Sequence, residues 1–518
     1  MRIRPQRFWH LLFYAFFFLT SLCLFIYYLS NTIIHFTTDQ QFPISSLVRY
    51  PLSIPIFLAE TFSFFFALYF IYSLMSDRFR PKEPAPLEER PPVAFCIPVY
   101  HEPQEIVERT ILACKKADWP EKRIYLLDDS KDRASVHEMA RLASKHDVTL
   151  VRREGRQGYK AGNVNNGIAR AVTEEYFVIL DSDQAPLPRF LEATMPYFAD
   201  PSVFFVQTPQ YYINDDTPIR RAAKIGTNVF YQAQCVAKAK DGALPFCGTN
   251  VVVRTQMFRE LGGFSYYTST EDIELGLRAN ARGWRGAYVP EVLVHGYAPV
   301  DWRAYSSQQY RWANGNLAIL RESWKRLLWG RYSLRHQIHT FFTVSWWFIG
   351  LVTLTYILIP LIAILTGLTT HHLWLPNVLI GLLYVNVVCG IFLIFVALHG
   401  RTKDHLTLGD AFLQYSLIVN SLFIYTGAAA NAMLRRYIGF VRTQKKETKV
   451  GLRDVWPNLA LAACCFAVSL FALARVALSS TVEQVRTYLP ASLWLLFYTV
   501  ILSSSVIFIE QPARRGAQ

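Results

Sequence analysis

The stretch "YFVILDSD", residues 176–183, decides the fold. A short apolar run closed by acidic residues reads as a strand buried on both faces. Strands of that kind belong to parallel sheets covered by helices. The surrounding sequence repeats the pattern. "VAFCIPV" (93–99) is followed by helical "EIVERTILACKKA", and "RIYLLDD" (123–129) precedes a second helix at about 134–145. "VTLVRR" (148–153) leads into "KAGNVNNGIARAV", a helix is expected from Pro188, and "VFFVQTPQYY" (203–212) is the next strand. The alternation predicts an α/β domain with a Rossmann-type, mostly parallel sheet. Open α/β sheets bind ligands outside the carboxyl ends of their strands. The residues to inspect are therefore "PVYHE" (98–102), "DDS" (128–130) and "DSD" (181–183). Asp181 and Asp183 offer two hard carboxylates at one strand end, which suits Mg²⁺ or Mn²⁺ held together with substrate phosphates. Such an ion neutralises a diphosphate leaving group.

Outside this region the chain changes character. Of its 518 residues, 52% are hydrophobic and only 18% charged, and the hydrophobic ones fall in blocks. Blocks at 8–29, 52–75, 338–365, 377–398, 458–478 and 490–509 are long enough to span a bilayer. The segment 410–434 is also apolar but carries Asp410, Gln414, Asn420 and Asn431, and basic residues flank it on both sides. It is expected along the cytoplasmic interface or within protein rather than across the membrane. The net charge of +14 clusters beside the blocks, as in Arg2, Arg4 and Arg7 before the first and Arg78, Arg80 and Lys82 after the second. The positive-inside rule accounts for this charge, and nucleic acid is not an expected partner. A cleaved signal peptide is not expected, because the first block is too long for one. Glu60 and Arg475 are the two charges inside expected spans. Snorkelling explains Arg475, and a polar path that pairs the two is the sharper expectation. The eight cysteines form neither a disulfide framework nor a CxxC zinc pattern.

The expected organisation is two membrane helices (1–77), a cytoplasmic α/β domain (78–305) and interfacial helices (306–336). Two membrane helices (337–398), a cytoplasmic interfacial helix and loop (399–456), two membrane helices (457–510) and a cytoplasmic tail (511–518) follow. Both termini then lie inside. Two further stretches carry chemistry. In "SYYTSTEDIELGLRANARGW" (265–284), Ser269 or Thr270 is a candidate cap, and Glu271 and Asp272 fall in the first helical turn. In "SSQQYRWANGN" (306–316), Gln308, Arg311 and Trp312 share one helical face just ahead of a membrane block.

Asp128-Asp129, Asp181-x-Asp183, Thr270-Glu271-Asp272 and Gln308-x-x-Arg311-Trp312 occur in the order of the D, DxD, TED and QxxRW motifs. The ordered set resembles the processive family 2 glycosyltransferases, cellulose synthase catalytic subunits above all. "KAGNVNNGI" (160–168), "VQTPQ" (206–210), "FCGTN" (246–250) and "FVRTQKKE" (440–447) are similar to stretches of that family, the last to its FxVTxK gating loop. The resemblance implies a GT-A-like fold, a UDP-sugar donor (UDP-glucose for a cellulose-like product), a growing polysaccharide chain and a place in the plasma membrane. It implies that Tyr100, Glu102, Asp128 and Asp129 hold the uridine and that Lys160 reaches the diphosphate. Asp181 and Asp183 would bind the metal and UDP. Asp272, beside Glu271, would be the general base, with Gln308 and Arg311 on the diphosphate and Trp312 and Cys247 at the acceptor. Phe440, Thr443 and Lys445 would close over the donor, although Arg442 stands where the family pattern has Val. A cyclic-di-GMP-sensing barrel, fused to many bacterial cellulose synthases, has no counterpart after the last block. Such control, like any accessory export subunit, is expected from another chain.

Overall fold

The computed structural model describes residues 44–75, 89–330, 332–367, 406–436, 448–479 and 481–510, with isolated positions at 19, 22, 26, 30 and 84. Apart from those isolated positions, the expected span at 8–29 lies outside the described residues, as do the span at 377–398, the gating residues Phe440, Thr443 and Lys445, and the tail 511–518.

The α/β domain is built on a seven-stranded sheet of order β3-β2-β1-β4-β8-β6-β9. Its strands are β1 (Val93–Val99), β2 (Lys122–Asp128), β3 (Thr149–Arg152), β4 (Tyr176–Ile179), β6 (Val203–Gln207), β8 (Val251–Arg254) and β9 (Arg285–Tyr288). Strands β3, β2, β1 and β4 run parallel, β8 is antiparallel to both β4 and β6, and β9 is parallel to β6. The expected strand 203–212 is two strands. Pro209 has no N–H to continue a ladder, and the chain leaves the main sheet after Gln207. Tyr211–Tyr212 (β7) joins a separate three-stranded sheet with β5 (Ala185–Pro186) and β10 (Val294–Gly296). The helix expected from Pro188 begins at Phe190.

The helices follow from their apolar spacing. Helix α1 (Ile44–Met75) is the long apolar one preceding the domain. Helix α2 (Gln104–Lys115) buries Val107, Thr110, Ile111 and Cys114, an i, i+3, i+4, i+7 stripe that packs on the sheet. Helix α3 (Arg133–Lys145) is capped by Asp132, whose carboxylate accepts from the Ser135 N–H. Helix α4 (Tyr159–Arg170) covers the other face with Val164 and Ile168. Helices α5 (Pro218–Val229) and α6 (Glu271–Ala281) carry further parts of the domain.

Residues 302–329 form one 28-residue helix, α7, in place of separate interfacial helices. Helices α8 (Leu334–Ser345) and α9 (Ile349–Thr366), joined by a 3₁₀ turn, make one apolar stretch of 33 residues. Helices α10 (Leu408–Asn420) and α11 (Leu422–Met433) meet at a 42° bend. Helix α11 packs along α7, where the Asn314 amide donates to the Ala428 carbonyl at 3.3 Å and the Tyr425 hydroxyl donates to Gln309 at 3.2 Å. Arg221 on α5 pairs with Asp410 on α10 at 2.9 Å. Helices α12 (Leu452–Ala477) and α13 (Val482–Ser503) follow. Among the described residues, four helical stretches are long and apolar enough to cross a membrane, or five if the bent α10–α11 pair is counted as one span. Within this bundle Asn458 donates to Asn420, which donates to the Ile501 carbonyl, so buried amides tie α10, α12 and α13 together. Arg475 lies over the Tyr488 ring, its guanidinium carbon 5.5 Å from the centroid.

Candidate active site

The carboxyl ends of β1, β2 and β4 converge on a cavity of about 520 Å³. Tyr100, Glu102, Asp129, Lys160, Asp181, Asp183, Cys247, Glu271, Asp272, Gln308, Arg311 and Trp312 all line it. Asp128 does not. Its side chain is fully buried, pairs with Arg152 and accepts from the Ser130 N–H at 2.9 Å, which braces the loop behind the wall. The register explains the pair, since Asp128 and Arg152 are partners across β2 and β3.

Three arginines that sequence reasoning did not single out shape the strand-end wall. Arg153 grips Asp129 with two parallel hydrogen bonds of 2.9 and 2.8 Å. Arg156 lies 3.9 Å from the same carboxylate and stacks over the Tyr100 ring, 3.3 Å from its centroid. Together they present an aromatic and guanidinium surface beside an acceptor-rich carboxylate. Arg109 on α2 donates to the carbonyls of Asp183 and His295 at 2.8 and 3.0 Å, and Thr110 donates to the Ser182 carbonyl at 2.8 Å. Helix α2 thus fixes the turn that carries both acids of DSD. The signal for Arg153 and Arg156 was "VRREGR" after β3, legible only once β3 is known to lie against β2.

Lys160, in the first turn of α4, donates to Asp181 Oδ1 at 2.5 Å and to the Gly248 carbonyl at 3.1 Å. Asp183 is 1% exposed. Among the described residues no three His, Cys, Asp or Glu side chains gather into a complete metal cage. Two carboxylates without a third donor fit Mg²⁺ or Mn²⁺ that completes its shell with phosphate oxygens and water.

Glu271 and Asp272 open α6 directly on the cavity. Thr270 is the cap residue but makes no side-chain cap bond. Ser269 instead donates to the Arg311 carbonyl at 2.9 Å, and Thr268 donates to the Gly315 carbonyl at 3.1 Å. Gly315 makes this approach possible, because a Cβ there would stand 2.7 Å from both the Ser269 and Thr270 hydroxyl oxygens. The start of α6 and the Gln308–Trp312 face of α7 are therefore one rigid unit. Asp272 rests on Gly248, whose φ of +69° turns the "FCGTN" loop beneath it. Burial raises the Asp272 carboxyl from its ordinary value, with the Ile273 N–H, Lys160 and Arg311 opposing. Burial and then the Asp272 charge hold Glu271 up as well. A hydrogen bond with Cys235, burial and the nearby Asp272 keep the Cys247 thiol protonated.

The same cavity is lined by Phe62, Ser63, Phe66 and Tyr69 of α1, by Phe342, Trp346 and Tyr356 of the α8–α9 stretch, and by Gln414 and Tyr415 of α10. Glu60 itself is not among the lining residues, although Phe62 and Ser63 of the same helix are.

Residues 91–315 match the family description "Glycosyltransferase like family 2". The chain carries a family 2 glycosyltransferase domain. Residues 253–400 match "Cellulose synthase", and the two matches overlap over 253–315, the segment that holds TED and QxxRW. Among curated proteins, the chain is 31% identical over 281 residues to the cellulose synthase 1 catalytic subunit of Komagataeibacter xylinus, covering 52% of this chain and 37% of that one. It is 30% identical over 300 residues to the cellulose synthase catalytic subunit of Pseudomonas fluorescens (strain SBW25), covering 55% and 39%. It is 32% identical over 244 residues to glucomannan 4-beta-mannosyltransferase 7 of Arabidopsis thaliana, covering 45% and 44%. The chain thus matches less than half the length of these relatives. Among solved structures, a mannosyltransferase of Pyrobaculum calidifontis aligns with a TM-score of 0.51 at 18% identity, over 74% of this chain and all of that one. That likeness supports the GT-A-like fold of the glycosyltransferase domain.

Proposed function

We propose that the protein is a processive, inverting β-glycan synthase of the plasma membrane that moves its product into the bilayer-spanning bundle as it is made. The observation that carries this reading is the shared cavity. One continuous space is bordered by the strand-end acids, by Asp272 and Trp312, and by aromatic side chains of α1 and of the α8–α9 stretch. A sugar added at Asp272 would have an aromatic-lined route directly ahead of it.

The donor is a UDP-sugar, with UDP-glucose favoured by the cellulose synthase domain and β-1,4 the linkage. Tyr100 and Arg156 face the uracil, and Asp129 and Glu102 offer carboxylate acceptors to its N–H and the ribose hydroxyls. Lys160 exchanges Asp181 for the diphosphate, and Arg311 and Gln308 contact the same group. Asp181 and Asp183 would hold a divalent ion, which when bound would supply electrostatic stabilisation to the departing UDP. The fixed charges of Lys160 and Arg311 do the same without reorganisation during reaction. Asp272 takes the proton from the acceptor hydroxyl as that oxygen attacks the anomeric carbon and the bond to UDP breaks. A positioned base contributes roughly 10²- to 10⁴-fold. Trp312 gives the acceptor ring an apolar face, and Cys247 stays a neutral neighbour of the acceptor end. Phe440, Thr443 and Lys445 would close the donor side.

The identity to a glucomannan mannosyltransferase favours one second reading, a mannose donor. Purified protein in proteoliposomes is to be incubated separately with labelled UDP-glucose, UDP-N-acetylglucosamine, UDP-glucuronate and GDP-mannose. Products are then sized and digested with linkage-specific hydrolases. Long chains from UDP-glucose that a β-1,4-glucanase degrades are expected. Incorporation of another sugar only, resistance to that hydrolase, or single-sugar adducts would overturn the donor, the linkage or processivity respectively.

A further inference from the structure

A π-helical turn, Phe230–Gln234, interrupts the helix that starts as α5 and resumes at Cys235–Lys240. Such turns insert an extra residue and re-aim the side chains after it, and they concentrate at functional sites. Here Phe230, Gln234 and Lys238 all border the cavity. Lys238 is 1% exposed. Among the described residues its amine has one hydrogen-bond partner, Gln234 Oε1 at 3.3 Å, and no carboxylate within ion-pair reach. The Phe230 ring lies 4.7 Å from it. A lysine carries three donors, and a buried donor without an acceptor is costly.

We propose that Gln234 and Lys238, with the Phe230 ring beside them, form a subsite that holds the hydroxyl oxygens of the neutral pyranose next behind the acceptor's terminal sugar. The proposal rests on the glycosyl-transfer reading and adds residues outside every motif that supports that reading. Position argues for it. Cys247 bonds Cys235 of this helix, and its chain neighbour Gly248 lies against Asp272, where an added Cβ would stand 2.7 Å from Oδ2. The cavity wall therefore runs from Asp272 through Cys247 to the helix that carries Gln234 and Lys238, all of which border the same space. Chemistry argues for a neutral ligand. Burial pushes the Lys238 ammonium down toward the neutral amine, which donates to hydroxyl oxygens without demanding a counter-charge. Support argues for a fixed site. Asp241, at the end of this helix, bonds His339 Nε2 of α8 at 2.9 Å, and His339 Nδ1 bonds the Tyr69 hydroxyl of α1 at 3.0 Å. Tyr72 of α1 also donates to Asp241. The residues that carry Lys238 are thus tied to both neighbouring membrane helices.

The test compares wild type, Lys238→Met, Lys238→Gln and Gln234→Leu in proteoliposomes supplied with labelled UDP-glucose, with and without cellotetraose. The readout is the ratio of glucose transferred to the oligosaccharide over glucose lost to water. Loss of a hydrogen bond to a charged or strongly polar donor corresponds to roughly tenfold or more. K238M is expected to lower the ratio by that factor and Q234L by less, while K238Q recovers part because its amide still donates. An unchanged ratio in K238M overturns the proposal, whether or not total turnover falls, since a merely structural lesion lowers both numbers together. If wild type releases no UDP under any condition, the glycosyl-transfer reading itself fails and takes the subsite with it.

Discussion

Gly248→Ala isolates the contact between the "FCGTN" loop and the base. A Cβ at position 248 would lie 2.7 Å from Asp272 Oδ2 and 3.0 Å from Asp272 Cβ. Comfortable contact begins near 3.5 Å, so the carboxylate must retreat by roughly 0.5 to 1 Å. A misplacement of about 1 Å in a reacting group costs on the order of 10²-fold. The φ of +69° adds roughly 1–2 kcal/mol of backbone strain. Gly283→Ala is the matched control, because Gly283 has a φ of +82° and a methyl group there would meet nothing within 4 Å. Both variants should lose thermal stability through the positive φ, G248A the more because its methyl group also crowds Asp272. Only G248A should lose kcat for UDP release, by about 10- to 100-fold, with UDP affinity nearly intact. Equal kcat losses in the two variants, or a G248A enzyme as fast as wild type, would refute the placement of Asp272 as the base held by this loop.

Other outcomes follow from the same geometry. Trp312→Ala should impair acceptor use and chain elongation more than UDP binding, whereas Arg311→Ala should impair both; product length and UDP affinity separate them. Glu271 is held above the carboxylate range, so the folded state binds more protons there than the unfolded state, and its contribution to stability falls as pH rises. Glu271→Gln should therefore lose less thermal stability than wild type between pH 5 and pH 8. The raised Asp272 carboxyl should move the acid limb of the pH–rate profile upward from where an unperturbed aspartate would place it. Arg153→Ala leaves the buried Asp129 carboxylate without its bidentate partner and should cost roughly 3 kcal/mol in thermal unfolding, with part recovered by adding Asp129→Asn.

The parallel half of the sheet was legible because β1, β2 and β4 are apolar runs that end in acids or beside them, and the fold places those acids where a doubly covered sheet requires. Strand β8, "VVVR", was missed because it pairs antiparallel between β4 and β6, and long-range pairing leaves no local signal. The run 203–212 looked like one strand because both halves are apolar, and Pro209 divides it. Pairing of Asp128 with Arg152 depends on register between β2 and β3, which side-chain identity does not announce. That pairing removes Asp128 from the cavity and leaves Asp129 within it. The i, i+3, i+4 face of α7 was readable from spacing. Its attachment to the start of α6 was not, because it depends on a missing side chain, Gly315, meeting Ser269 and Thr270 across a gap in sequence. The π turn that aims Lys238 into the cavity likewise has no marker in residue type.

The most direct measurement of the central claim is UDP release from labelled UDP-glucose by wild type and Asp272→Asn in proteoliposomes with Mg²⁺ or Mn²⁺ present, alongside UDP affinity for both. The account predicts that the variant still binds UDP but releases it from UDP-glucose at least about 10²-fold more slowly. Equal release by the two proteins would contradict it.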